Sequence, residues 1–202
     1  MVSVSPDVDR EGSRDGAEPR SCLAFPCSRR TACPIRTDND GMPGSEHNER
    51  LVRRLRPTDR DLDQIVEQIN SASMEIDEPF TRDSLTGFLR DNRNVYLTVH
   101  VQGELAGTLH AIGYIHPAGQ RYLYVDEVDT DESFRRQGVA TALMRAAQEI
   151  AREMAATAVW LGADSANDAA HALYRSLGPQ EVEPGVVYTY KIDPSNDKRG
   201  SA

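Results

Sequence analysis

The sequence predicts an α/β (α+β) domain, a mixed and mostly antiparallel central sheet flanked by helices, in the order β-α-α-β-β-β-α-β-α-β. Three observations lead there. Two helical periodicities follow a first β-rich run. Three further β-rich runs succeed one another across turns at Gln102-Gly103 and Pro117-Ala118-Gly119, too short for a crossover, so these strands are antiparallel. The remainder alternates helix, strand, helix and strand.

Each element has its own reason. Residues 51–56 are a β-rich first strand, ended by Pro57, and Thr58 reads as the N-cap of the next helix. Leu62, Ile65, Val66 and Ile69 then fall at helical spacing. A second helix is expected over residues 81–89, with Leu85, Phe88 and Leu89 on one face. Residues 94–101, 105–115 and 122–128 make the meander. Residues 138–154 form a helix whose apolar stripe is Val139, Leu143, Ala146, Ala147, Ile150 and Met154. Residues 157–161 read as a buried strand, and residues 167–177 as a helix stopped by Gly178-Pro179. Residues 186–192 close the order as a last strand.

Residues 1–48 are rich in Ser, Pro, Asp, Arg and Gly and have no sustained apolar period. Such a segment cannot bury enough surface to offset the entropy of ordering, so it is expected to be a disordered tail. Met42 is then a plausible alternative start. The folded domain is expected over residues 49–194, with residues 195–202 frayed. Cys22, Cys27 and Cys33 are widely spaced, odd in number and far from histidine; they read as incidental thiols, and no metal site is expected.

The net charge of -9 and the pI near 5.0 argue against nonspecific nucleic-acid binding, which needs Lys and Arg to neutralise phosphates. They suit a cationic small molecule better. No apolar run has the length of a membrane helix, and the N-terminus lacks a signal-like apolar region, so the cytoplasm is the expected location and no membrane partner is expected.

Chemistry is concentrated after the fourth strand. Arg135-Arg136-Gln137-Gly138-Val139-Ala140 opens the long helix. The first amides of a helix lack partners within it and carry the positive end of its dipole. Gly138 and Ala140 leave room for a pyrophosphate, Arg135 and Arg136 add charge, and Thr141 adds a hydroxyl. Alone, this hexapeptide reads equally as an ordinary helix start.

The pattern Arg135-x-x-Gly138-x-Ala140 resembles motif A of the GNAT superfamily of acyl-CoA N-acyltransferases. A second stretch, Asn167-x-x-Ala170-x-x-x-Tyr174, resembles that superfamily's Asn-x-x-Ala-x-x-x-Tyr helix. The resemblance spans roughly residues 51–192 and includes the element order, so it implies a GNAT-type sheet and acetyl-CoA as co-substrate. From Tyr122 to Gly178 the chain is most similar to the aminoglycoside 3-N-acetyltransferases. Thr130 and Pro179 depart from the common pattern, and Glu127 stands where the aminoglycoside enzymes carry Asp.

The resemblance implies that Val128, Asp129 and Thr130 pair with the pantetheine through their backbone. It implies the same cofactor for Arg135, Arg136, Gln137, Gly138, Val139, Ala140, Thr141 and Asn167, although Asn167 equally suits a helix N-cap. Tyr174 is the candidate general acid, protonating the departing thiolate; the competing reading is a core tyrosine beside Leu173 and Leu177. Asp126, Glu127, Asp129, Asp131 and Glu132 crowd one stretch. The last three read best as a solvated turn before a helix. Asp126 and Glu127 lie inside a strand, where alternation lets one at most face the site. Glu127 is taken as base and amine-binding group on the resemblance, with Asp126 the alternative. Asp164, after the next strand, is a further amine-binding candidate. His110, His116 and His171 show no partner in the sequence and read as structural.

The resulting expectation is an N-acetyltransferase acting on a primary amine of a cationic small molecule, such as an aminoglycoside at its 3-N position, by direct attack in a ternary complex. A homodimer is compatible with it. The alternatives are a protein or peptide N-acetyltransferase and a non-catalytic acyl-CoA-binding sensor.

Overall fold

A computed structural model describes residues 50–76 and 78–191. The expectations for the tail 1–48, for Met42, for the three cysteines and for residues 195–202 lie outside the described residues.

A five-stranded sheet runs in the order β1 (Arg50–Arg54), β2 (Asn94–Val101), β3 (Glu104–Ile115), β4 (Arg121–Thr130) and β5 (Ala158–Leu161). The first four pair antiparallel and β5 joins β4 in parallel. Helices α1 (Leu62–Ser71) and α2 (Arg82–Arg90) precede β2; α3 (Val139–Glu153) and α4 (Asp168–Ser176) flank β5 in sequence.

Strand alternation divides the core into two layers. Val95, Leu97, Val99 and Val101 of β2 share one buried cluster with Leu143, Ala146, Ala147 and Ile150 of α3. Tyr96, the odd member, faces the other way and packs with Leu62, Ile65, Ile69, Leu85 and Leu89 of α1 and α2. Removing a Val, Leu or Ile side chain of these layers from water contributes roughly 2 kcal/mol. Among the described residues no helix is long and apolar enough to cross a membrane.

Helix α2 begins where its cap predicts: Thr81 Oγ1 accepts from the Ser84 amide (3.1 Å), and Ser84 Oγ accepts from the Thr81 amide (3.0 Å). Thr58 is not a cap, and α1 starts later, at Leu62 after Asp61. The intervening residues are held in turns by Arg53, whose guanidinium meets Asp61 (2.5 and 2.8 Å) and Asp59 (2.8 Å). Asp61 spends its carboxylate on that pair and makes no side-chain cap bond.

Two strand expectations need correction. Residues 158–161 form a strand, but an edge strand with Ala158 and Trp160 exposed rather than a buried one. Residues 186–191 are not a strand at all, and Val186, Val187, Tyr188 and Tyr190 are exposed; Ile192 lies outside the described residues. β propensity supplies a side-chain pattern but not a hydrogen-bonding partner. Without that sixth strand, the outer edge of β5 stays unpaired within the described sheet.

Candidate active site

Between β4 and α3 the chain makes a 3₁₀ turn over Glu132–Phe134 and then the loop 135–138. Arg136 (φ 60°) and Gly138 (φ 79°) are both left-handed, a conformation that glycine adopts without Cβ strain. Gly138 is the N-cap of α3, so no side chain covers the helix start. The first helical bond there is from the Ala142 amide to the Gly138 carbonyl (3.0 Å), which leaves the amides of Val139, Ala140 and Thr141 without intrahelical partners. The Val139 side chain is buried in the core, so only its amide serves the loop. Gln137 braces the loop by donating to the Ser133 carbonyl (2.9 Å), and Arg135, near Glu132 (3.3 Å), stays at the surface.

Strands β4 and β5 part company beside this loop. Their pairing runs only from Tyr122↔Ala158 to Val125↔Leu161. On the β3 side, β4 continues through Glu127, Val128 and Asp129 to Thr130. Residues 127–130 therefore have a strand partner on one side only within the described sheet. Close packing holds this end of β4: a Cβ on Gly107 would lie 2.5 Å from the Asp129 carbonyl and 2.7 Å from Val139 Cγ1. An extended arm with amide groups fits a strand edge, and a pyrophosphate fits open helix amides. Both fit acetyl-CoA.

On the sheet face that carries α1 and α2 there is a cavity of about 220 Å³. Met74, Glu75, Ile76, Glu78 and Phe80 of the α1–α2 loop line one side, with Tyr96, Thr108, Glu127 and Asp129 from the sheet. The loop is pinned at both ends. Asn70 bonds Phe80 twice (2.9 and 2.8 Å), and Asp131 accepts from the amides of Ser73 (2.7 Å) and Ser133 (2.9 Å). Those amides, the Ser73 amide foremost, hold the Asp131 carboxyl below the usual range. Asp131 is 8% exposed, so it is a buried anchor and not part of a solvated turn.

Asp129 also departs from that expectation. It is half-buried and its carboxyl is pushed up to about 7, first by burial, then by the charge of Glu127 and a hydrogen bond with it, then by Glu75. Glu132 alone of the three fits the exposed-turn reading.

A β-bulge disturbs the alternation expected for Asp126 and Glu127. His110 pairs with Glu127 while Ala111 pairs with Val125, so Asp126 is the extra residue. Both carboxylates thereby reach one ring: His110 Nε2 is 2.8 Å from Asp126 Oδ2, and Nδ1 is 3.4 Å from Glu127 Oε2. The imidazole stacks on Tyr96 (6.2 Å between ring centres, 10° between planes) and meets the edge of Phe88. Reading His110 as lacking a partner is therefore wrong; its partners come from β4, sixteen and seventeen residues on.

Tyr174 of α4 is half-buried against the α3-side core, and its phenol is raised above the usual range by burial and then by the charge of Asp129. Tyr174 does not line the cavity, whereas Asp129 does. Asn167 is the N-cap of α4 and accepts from the Ala170 amide (3.0 Å). Asp164 accepts from the Ala166 amide (2.8 Å) in an exposed turn and is not among the residues lining the cavity.

The Acetyltransferase (GNAT) family model matches residues 62–178, more than half of the chain. The chain belongs to the GNAT acetyltransferase family. As a GNAT acetyltransferase it is an acetyl-CoA-dependent N-acetyltransferase. It is similar to the aminoglycoside N(6')-acetyltransferase type 1 of Acinetobacter haemolyticus, 29% identical over 131 residues that cover 59% of this chain and 90% of the relative. In structure it is similar to an aminoglycoside acetyltransferase from an uncultured soil metagenomic sample, solved with trehalose (TM-score 0.65, 21% identity, 73% of this chain and 99% of the other). It is also similar to an aminoglycoside N-acetyltransferase solved with CoA (TM-score 0.56, 16% identity, 75% and 99%). The mixed sheet and the GNAT resemblance read from the sequence are thus borne out.

Sequence reasoning missed Glu75, Glu78, Tyr96 and Thr108 in this GNAT domain. The signal for Glu75 and Glu78 was an acidic loop, Glu75 to Glu78, between two amphipathic helices. Tyr96 and Thr108 look like ordinary strand residues.

Proposed function

We propose that this GNAT enzyme transfers the acetyl group to a primary amine of a polycationic small molecule of the aminoglycoside type, by direct attack while both substrates are bound. The observation that carries the reading is the composition of the cavity: four carboxyl groups, Glu75, Glu78, Glu127 and Asp129, beside the aromatic rings of Phe80 and Tyr96, next to the parted end of β4. Clustered carboxylates attract a molecule carrying several ammonium groups, and the aromatic faces suit both sugar rings and cations.

In this reading the backbone of Val128, Asp129 and Thr130 and the amides of residues 139–141 bind acetyl-CoA, with Arg135 and Arg136 adding charge. Bound acetyl-CoA supplies the thioester. Glu127 removes a proton from the acceptor's ammonium, which frees the amine lone pair; Asp126 is the alternative base. Glu75, Glu78 and Asp129 hold the remaining positive charges of the acceptor. Tyr174 keeps its proton at Oη through neutral pH, because its phenol is raised above the usual range, and so can give it to the leaving sulfur. The similarity of residues 122–178 to the 3-N-acetyltransferases favours the 3-amino group as target, whereas the curated relative is a 6'-enzyme.

The test is turnover of acetyl-CoA with kanamycin, spermidine and a lysine-containing peptide, followed by NMR of the product. Acetylation of kanamycin at the 3-amine, with intersecting initial-velocity lines, is the expected result. Faster turnover of the peptide would refute the small-molecule reading, parallel lines would refute direct attack, and a 6'-product would move the site of acetylation.

A further inference from the structure

We propose that His110 is a positioning residue that carries the acceptor's proton from Glu127 to Asp126 and so to solvent. The inference rests on the acetyl-transfer reading above and adds an exit route to it.

The geometry is that of a short proton path. One ring nitrogen, Nε2, lies 2.8 Å from Asp126 Oδ2 and the other, Nδ1, 3.4 Å from Glu127 Oε2. The first distance is a hydrogen bond, and the second needs only a small side-chain movement to become one. The two side chains are similarly exposed (Asp126 45%, Glu127 47%), but Glu127 lines the cavity, where a bound acceptor covers it, whereas Asp126 does not line it. The ring therefore spans from the cavity wall to water. The β-bulge makes this possible by placing consecutive residues of one strand around a single imidazole. Stacking on Tyr96 and the edge of Phe88 fix the plane of the ring. The groups facing it are Tyr96 of β2, Phe88 of α2, and Asp126, Glu127 and Asp129 of β4.

The route is needed because the remaining carboxyl beside Glu127 is already occupied. Burial and then the charge of Glu127 push the Asp129 carboxyl up, so it already tends to hold a proton. With an acceptor seated over Glu127, the proton it takes has His110 as its nearest remaining acceptor.

The ammonium N–H bond breaks as the Glu127 carboxylate takes the proton, and the nitrogen keeps the electron pair. The new O–H bond breaks as His110 Nδ1 takes the proton. The Nε2–H bond breaks as Asp126 Oδ2 takes that one, and Asp126 releases it to water. One proton has moved from ammonium to solvent, and both carboxylates are restored. The ring, now carrying hydrogen at Nδ1, returns to its first tautomer after product has left, when the Nδ1–H bond breaks to water and Nε2 takes a proton from water, with no net change in protons.

The full chain, wild type and as His110→Gln and Asp126→Asn, would be assayed with acetyl-CoA and kanamycin, spermidine or the lysine peptide, whichever the wild type turns over. His110→Gln retains hydrogen bonding but cannot pass a proton between two atoms. It is expected to lower kcat about tenfold or more, with the amine KM and acetyl-CoA affinity held within about twofold and partial recovery of kcat in added imidazole. Asp126→Asn, at an exposed position, is expected to change kcat in the same direction and to make it depend on buffer concentration. That second variant carries the test if circular dichroism shows that His110→Gln does not fold. Unchanged kcat and pH profile in a folded variant overturn the relay while leaving the acetyl-transfer reading intact. So does a loss that appears as a raised KM and resists imidazole. Absence of turnover by the wild type with all three amines overturns both.

Discussion

Replacing Asp129 by Asn gives the sharpest test of the cavity electrostatics. The Asp129 carboxyl goes from an ordinary 3.8 to about 7 in the folded protein. At ~1.4 kcal/mol per pH unit, that displacement is worth ~4 kcal/mol. The group is only half-buried, and solvent screening reduces the figure to ~2 kcal/mol. An acid whose folded value lies above its unfolded one binds its proton more tightly when folded. The stabilisation is therefore present below pH about 4 and is lost as the pH rises through about 7. At pH 8.5 the wild type carries the full cost of a charge held against Glu127 and Glu75; the Asn variant carries none and still donates a hydrogen bond to Glu127. Thermal unfolding should then show the variant more stable by ~2 kcal/mol at pH 8.5, about 6 °C in Tm, and by less than ~1 kcal/mol at pH 5, about 2 °C. Kanamycin should raise the wild-type midpoint at pH 8.5 more than that of the variant, because a cation offsets the same repulsion. Equal gains at the two pH values, or a loss at pH 8.5, would refute the assignment of Asp129 to a crowded carboxyl cluster.

Three other substitutions probe the parts that hold the site together. Gly107→Ala places a Cβ 2.5 Å from the Asp129 carbonyl and 2.7 Å from Val139 Cγ1, so it should cost about 1–3 kcal/mol and weaken acetyl-CoA binding; an unchanged midpoint in thermal unfolding counts against it. Asp131→Ala releases the Ser73 and Ser133 amides, with an expected loss of about 1–3 kcal/mol and a raised KM for the amine, and steady-state kinetics showing an unaltered amine KM would mean the α1–α2 loop is held by other contacts. Tyr174→Phe should lower kcat about 10²-fold while isothermal titration finds acetyl-CoA bound as before; full activity would return Tyr174 to the role of a core residue.

Local signals were sufficient wherever one element explains itself. Thr81 and Ser84 announce the start of α2 because both partners of that cap lie within a single turn. The stripe from Val139 to Ile150 announces α3 because burial on a helix repeats with its period. The parting of β4 from β5 has no local signal; the sequence offers only what the resemblance carried by Arg135, Gly138, Asn167 and Tyr174 implies, a backbone role for Val128, Asp129 and Thr130. Thr58 misled because a good capping residue does not decide the start of a helix when an arginine five residues upstream, Arg53 on β1, binds the next acids along. Residues 186–191 misled because strand composition cannot supply a partner.

The acidic stretch from Asp126 to Glu132 shows most clearly where sequence reasoning stops. Read along the chain, its five acids are one feature, and a solvated turn explains most of them. In the fold they separate into distinct environments. Asp126 and Glu127 flank an imidazole from β3. Asp129 is pressed against Glu127 and Glu75. Asp131 is buried on the amide of Ser73, fifty-eight residues away, and Glu132 pairs with Arg135 at the surface. Each fate except the last is set by a residue on another element. The bulge that turns Asp126 beside Glu127 involves no glycine at either position and leaves no mark in the composition of β4. A charged run can thus be read as a site only after the chain has brought its counterparts alongside. In this protein those counterparts are His110, Glu75 and Ser73, none of which lies within ten residues of the acids it addresses.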